Sequence, residues 1–551
     1  MSSRESFITF IVLFLFMVLI LLSILFLSIV NFGFGFLCEK ILKTNIKSLA
    51  LISLLGVISI TLIEAFLAFL IPLSWIVETV IISIGFSGFF ISVLRENLIS
   101  DLRKIFDIKF FVLLVFTAFA GSFTPYLFDH YSYYVPTISV LSEFGFVKGV
   151  SNLDLVLGQT SFWHIYSAGF SHFADPFLRI NGYLVALFLI YIFDEKYWNL
   201  LIFIPCFLIF TPQPNSDLPV FILTLIILNE ALNRKNNIIL LYFSLFAFCI
   251  KPIIFWLALF FVLNCIVSKN FKITMLIPIF LFGILFVFKN LYLFGFPVYP
   301  VSFPNLNLPW KPDGNILQYA SQIGQIKSSD MDINYKDILK FNFSEKIYYW
   351  FLIGYSYVFN LGLIGCLIIL GVFCYFKKQK IYSVLWVSLL IKSLFVILFF
   401  MRFRLFSEIF LVSVFLILNS IRKNMAVNFS ILFSLIILFL LSSPKLIKNY
   451  FSQYQSVKFM TEFELSQIIK PNETHYINIS QEEKLGNLEF NLVQVVKYRA
   501  TFPALSINQL EVYYRFDIFP QRFENGFIHK KLTKAQKTEL KKNILEAKSS
   551  K

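Results

Sequence analysis

The sequence predicts an all-α polytopic membrane protein of about fourteen transmembrane helices with a small C-terminal extracytoplasmic α/β domain. Three observations lead there. Of 551 residues, 58% are hydrophobic and only 14% charged, with a mean hydropathy of +0.77. Soluble domains are far more polar. Apolar runs close to the length that crosses a bilayer recur from residue 7 to residue 443. Lys and Arg concentrate in the short connections between those runs, the pattern that orients membrane helices.

The first run, 7–30, is too long for a secretory leader and lacks a small-residue cleavage site, so it reads as a retained helix. Further runs follow at 48–70, 73–94, 109–126, 178–193, 198–211, 217–232, 238–251, 253–267, 273–294, 349–376, 381–401, 405–420 and 426–443. The connections "EKILKTNIK" (39–47), "RENLISDLRKIFDIK" (95–109), "NRKNN" (233–237), "SKNFK" (268–272), "KKQK" (377–380) and "IRKN" (421–424) are all basic. With this helix list they all fall on one side, which the positive-inside rule makes the cytoplasm. The outer side receives the amino terminus, the loop 127–177, "TPQPNSD" (211–217), the loop 295–348, "RFR" (402–404) and the tail from Pro444. The loop 127–177 mixes polar and apolar residues without reaching spanning length, which predicts amphipathic helices lying on the outer membrane surface.

The chain thus divides into a membrane bundle, 1–443, and an extracytoplasmic domain, 444–551. In the latter, "THYINIS" and "NLVQVVKYRA" predict short strands. The Lys-rich end, "HKKLTKAQKTELKKNILEAK", predicts a solvated helix. The net charge of +15 is spread over inter-helix loops, which argues for membrane orientation and against a nucleic-acid partner. Six cysteines without a CxxC pair read as small buried hydrophobes. Phe occurs 71 times, as codon bias in an AT-rich genome would produce, so aromatic residues alone do not mark a binding platform.

Polar residues gather at the outer ends of the runs. Asp129 follows the fourth run in "PYLFDHYSYYVP" (125–136), where a carboxylate is either hydrated or lines a cavity. Tyr133, four residues on, shares its face if the helix continues, and Pro136 ends or bends that helix. "SFWHIYSAGFSH" (161–172) places His164 in the same loop; a spacing of eight to His172 does not match a zinc helix, and lone histidines are commonly structural. Asp217 in "TPQPNSDLP" suits a helix N-cap, by itself or with Ser216, and a substrate role beside it. Lys251, before Pro252, must snorkel, pair or face a polar cavity. In "FFMRFRLFSEIF" (399–410), Arg404 and Glu408 are spaced for an i,i+4 pair. Yet Arg402 and Arg404 on the outer side run against the charge rule, and guanidinium groups bind phosphate through parallel hydrogen bonds. Carboxylates that activate a hydroxyl or hold a metal, beside cations that stabilise a leaving phosphate, fit group transfer from a phosphate carrier to a hydroxyl.

Over residues 109–420 the sequence resembles the GT-C superfamily of integral-membrane glycosyltransferases. The resemblance rests on "FDHYSYYVP", "GQTSFWHI", "NSDLP", "CIKP", "GFPVYPVSFPNLNLPW" and "RFR" in that order. The first is similar to an Asp-x-x-x-Tyr-x-x-Pro signature of a bacterial branch, met by Asp129, Tyr133 and Pro136. Gly295, Pro297, Tyr299 and Pro300 meet a second element. The resemblance implies a GT-C-like fold in a bacterial inner membrane, with the site facing out. It implies a polyprenyl-phosphate-linked sugar as donor and a glycan, lipid or protein as acceptor. Asp129 would activate the acceptor, with Asp217 shaping the acceptor or metal side. Lys251, Arg402 and Arg404 would meet the lipid-linked phosphate, with Tyr133, His164 and Tyr299 as further substrate-binding residues. No acidic residue adjoins Asp129, so the acidic pair that holds a divalent metal in better-known members is missing. A single placed carboxylate implies inversion at the sugar carbon.

Three other functions share some of these features. A flippase or transporter of lipid-linked oligosaccharides would carry charges near the bilayer midplane. A polysaccharide polymerase or ligase of another fold would use His164 and Arg404 in an outer loop. A non-catalytic envelope assembly protein would tolerate loss of Asp129.

Overall fold

The computed structural model describes residues 18–549 apart from 45, 96–101, 104, 234–237, 327–336, 338–339, 354–356, 400–401, 452–454, 475 and 477–479. It is mostly helical. Long apolar sequences fold as helices because every backbone polar group is then satisfied within the segment, as a hydrocarbon environment requires. The helices are α1 (Val18–Leu42), α2 (Leu49–Leu67), α3 (Trp75–Arg95), α4 (Ile108–Ser122), α5 (Val135–Phe144), α6 (Phe162–Gly169), α7 (Ile180–Glu195), α8 (Asp217–Leu232), α9 (Ile239–Ile250), α10 (Phe255–Val267), α11 (Leu276–Phe294), α12 (Gly314–Ile326), α13 (Tyr357–Lys377), α14 (Lys380–Phe399), α15 (Ser407–Leu418) and α16 (Lys423–Ser442).

Each expected apolar run contains helix, although residues 7–17 of the first lie outside the described residues. Among the described residues, seven helices are long and apolar enough to cross a membrane: α1, α2, α3, α11, α13, α14 and α16. The other expected spans are shorter. α7 and α8 have 16 residues each, and 198–211 holds a 3-10 turn followed by the five-residue helix Ile204–Leu208. The shortest elements follow local chemistry: Pro252 sits in the 3-10 turn that separates α9 from α10.

α1, α2 and α3 form a close-packed trio. A Cβ on Gly33 would lie 1.8 Å from the Gly85 carbonyl oxygen, and one on Gly56 would lie 1.9 Å from that of Asn31. Small residues at helix crossings replace hydrophobic drive in lipid, because backbones can then touch. α7 and α8 are buried along nearly their whole length, hydrophobic all round as the innermost helices should be. α8 packs on α9 and α15, α10 on α14, and α13 on α14 and α15.

The loop 127–177, expected to carry amphipathic helices, is largely buried by the protein around it. All eight residues of α6 are buried. Glu78 of α3 accepts hydrogen bonds from the backbone N–H groups of His172, Phe173 and Ala174. Buried Arg179 donates to the carbonyl oxygens of Gly121, Phe177 and Asn472. These buried polar anchors hold the segment down, which its mixed polarity did not reveal.

The C-terminal region carries β1 (Ser480–Leu485), β2 (Leu488–Val493), β3 (Ala504–Ser506), α17 (Ile507–Phe516), β4 (Ile518–Phe523), β5 (Gly526–Lys531) and α18 (Lys534–Ser549). β1 and β2 are antiparallel, β2 and β3 parallel, and β4 and β5 form a separate hairpin. Of "NLVQVVKYRA" only residues 491–493 are strand, and most of "THYINIS" lies outside the described residues. α18 is not wholly solvated: Leu540, Asn543, Ile544 and Ala547 are buried, and Asn543 donates to Glu483. The region docks on the loop. The Phe527 N–H donates to the Lys148 carbonyl at 3.0 Å, Lys497 pairs with Asp154 at 2.7 Å, and Asn152 donates to the Phe527 carbonyl. Among the described residues the cysteines form no disulfide; Cys249 and Cys265 are buried, whereas Cys206 is exposed.

Candidate functional site

Four stretches distant in sequence meet at one point. Phe123–Leu127 is non-helical, and the chain re-enters helix at 128 through a π-turn, His130–Tyr134, that leads into α5. Asp129 precedes that turn, with its side chain 40% exposed. Asp217 opens α8 with its side chain only 7% exposed. The expected cap is supplied by neither Ser216 nor Asp217. Asn215 Oδ1 accepts from the N–H groups of Asp217 and Leu218 at 2.6 and 3.3 Å. The Asp217 carboxylate is therefore released from capping. Its Oδ1 takes the ammonium of Lys251, which follows the last residue of α9. Its Oδ2 accepts from Arg404 Nη2 at 2.7 Å and Nε at 3.2 Å. Arg404 Nη1 donates to Asp129 Oδ2 at 3.0 Å. Two carboxylates and two cations thus alternate from half-exposed Arg404 and Asp129 inward to Lys251.

The arginine pair divides. Arg404 enters this cluster, whereas Arg402 donates from Nε to the Gly324 carbonyl of α12 at 3.0 Å and faces Tyr299. Arg402 and Tyr299 are electrostatic neighbours beside the cluster; the Tyr299 ring rests edge-on against Phe294. The expected Arg404–Glu408 pair does not form. Glu408 pairs with Lys392 of α14 at 2.5 Å, both side chains fully buried. A lysine twelve residues into an apolar helix was the sequence signal for this pair, and intramembrane charges are functional candidates by default.

His164 lies beneath the site. Its Nε2 donates to the Pro214 carbonyl at 3.2 Å, and its ring contacts Tyr133 and Tyr134, each at 5.0 Å between centroids. Burial holds its pKa down to about 3, so it is neutral and shapes the 210–217 turn. Buried Tyr133 packs on His164. The tyrosine in the ion cluster is Tyr134, whose hydroxyl accepts from Asn215 Nδ2 at 3.0 Å and stands beside Arg404. Both rings lie near Asp129, and the hydrogen bond from Asn215 is what sets Tyr134 beside Arg404. A network of Trp163 Nε1 to Asn181 Oδ1 (2.8 Å) and Asn181 Nδ2 to the Asn215 carbonyl (3.0 Å) fixes the turn.

A divalent cation does not fit this arrangement well, because both carboxylates already face cations. Among the described residues no three His, Cys, Asp or Glu side chains converge as ligands. What the arrangement can do is bind an anion at Arg404 and present a carboxylate to a hydroxyl.

The chain belongs to a family described as a domain of unknown function (DUF8201), whose model matches residues 17–411. The matched span contains Asp129, Tyr134, Asp217, Lys251 and Arg404. No curated protein and no solved structure matches the chain.

Proposed function

We propose that this DUF8201 protein is a GT-C-like membrane glycosyltransferase that moves a sugar from a polyprenyl-phosphate-type donor to an envelope acceptor. One observation carries the reading: Asp129, Asp217, Lys251 and Arg404 converge at one half-exposed site, although each follows or opens a different apolar helix. The basic loops lie at the other ends of these helices. In this reading the seven long helices and the shorter apolar ones thread the membrane about fourteen times, and the site faces away from the cytoplasm of a bacterial inner membrane.

The chemistry is an inverting displacement. The acceptor oxygen bonds to the anomeric carbon as the bond from that carbon to the phosphate oxygen breaks. The phosphate departs with the bonding electrons and is met by Arg404 and Lys251. The acceptor proton passes to Asp129. A carrier lipid suits a site at helix ends, since its tail stays among acyl chains while its phosphate reaches the guanidinium. Arg402 and Tyr299, beside the cluster, suit the sugar or second phosphate. With the cations at hand, the step runs through side chains alone.

The buried Lys392–Glu408 pair favours a second reading, a flippase or transporter. Burial weighs against it. Lys392 and Glu408 are both fully buried and pair with each other, so as placed they line no water-filled path for a transported headgroup. The test is Asp129→Asn in purified, membrane-reconstituted protein given polyprenyl-phosphate sugars. A fall in transfer of at least a hundredfold at unchanged protein level is expected; full activity would end the reading.

A further inference from the structure

Resting on that reading, we propose that Asp129 is a built-in placeholder for the donor phosphate: it occupies the outward edge of Arg404 until a phosphate displaces it, and only then is it free to act as the base.

The two carboxylates that hold Arg404 are not equivalent. Asp217 is nearly buried, takes both Nε and Nη2, and is fixed from its other oxygen by Lys251. This contact sets the plane of the guanidinium. Asp129 is 40% exposed and meets a single nitrogen, Nη1, through a single oxygen. An exposed one-point ion pair is weak, whereas a phosphate brings several acceptor oxygens to the same edge. Asp129 is therefore the partner that an incoming anion replaces.

The exchange has a chemical consequence. While the pair holds, the Asp129 oxygen that meets Arg404 is engaged by Nη1. Once phosphate takes that edge of the guanidinium, this oxygen is free to accept a hydrogen bond from the acceptor hydroxyl and then its proton. Tyr134, held by Asn215 beside the guanidinium, offers a hydroxyl to the arriving phosphate oxygen. The base is armed by the substrate that needs it. Asp217 cannot serve in this way, since its carboxylate is held from both sides.

The experiment measures binding to protein in nanodiscs with two probes: a short-chain polyprenyl monophosphate in the bilayer and inorganic diphosphate in solution. Removing the placeholder should tighten binding. Asp129→Asn and Asp129→Ala are expected to bind the polyprenyl monophosphate at least fivefold more tightly than wild type, with transfer lost and the unfolding midpoint unchanged. Arg404→Ala should abolish binding with or without Asp129. Unchanged or weaker binding in both Asp129 variants would overturn the placeholder while leaving the transfer reading intact. If inorganic diphosphate alone binds, and tightens in the variants, the placeholder stands and the lipid carrier fails. Absence of binding to either probe in every protein overturns both.

Discussion

Asn215 does two jobs with one side chain. Its oxygen caps α8, and its amide holds Tyr134 beside Arg404. Asn215→Ala should remove the cap and leave buried polar groups unmet, costing about 2–3 kcal/mol. A fall in the thermal unfolding midpoint measured in detergent checks this, and Asn215→Asp, which keeps the cap but not the amide donor, should recover part of it. Glu408 is a sharper case. Lys392 and Glu408 are both fully buried, so Glu408→Gln strands an ammonium away from water. Breaking a buried pair costs about 3–5 kcal/mol, while replacing both members by apolar residues is often neutral. Glu408→Gln should therefore unfold at markedly lower temperature than wild type, and Lys392→Met/Glu408→Met should recover. Equal midpoints for all three proteins would refute the pairing.

Among the elements, the α1–α2–α3 trio depends on backbone contact. Gly56 stands against the Asn31 backbone with no room for a side chain. Gly56→Leu should force the helices apart and lower folded yield severely, whereas Gly283→Leu, at a glycine of α11 with no atom in reach of a Cβ, should not. Folded yield by size-exclusion chromatography separates the two. The π-turn at His130–Tyr134 matters in another way. It breaks the 3.6-residue repeat where Tyr133 and Tyr134 leave Asp129, and both rings stay within reach of that carboxylate. That break is invisible in a periodicity argument, because no residue type uniquely marks a π-turn.

At the scale of the whole molecule, the C-terminal region is locked to the loop beside the site. His529 bridges them: its Nε2 donates to the Asn152 carbonyl at 2.9 Å, and its Nδ1 accepts from the Asp313 N–H at 3.1 Å. The accepting nitrogen must stay unprotonated, and burial lowers the pKa to about 4. An undocked His529 titrates near 6.5. The undocked form thus binds more protons below that value, so docking strength is complete above pH ~6.5 and is lost as pH falls toward 4. Hydrogen-exchange protection factors at residues 149–154, which correct for the intrinsic pH dependence, should fall across that window in wild type. In His529→Gln the pH dependence should be flattened.

Helix positions and the candidates at helix ends were legible in the sequence alone. Hydropathy is a local property, and a run of apolar residues keeps it in any fold. The sequence also singled out Asp129, Asp217, Lys251 and Arg404, because charges at apolar boundaries are costly and few. Tertiary structure alone decided their partners: Arg404 reaches Asp129 and Asp217 rather than Glu408, Tyr134 displaces Tyr133, and the loop 127–177 is largely buried. Ion pairing depends on which helix ends come within a few ångströms, and separations of 187 and 275 residues between Arg404 and its two partners leave no periodic trace in the chain.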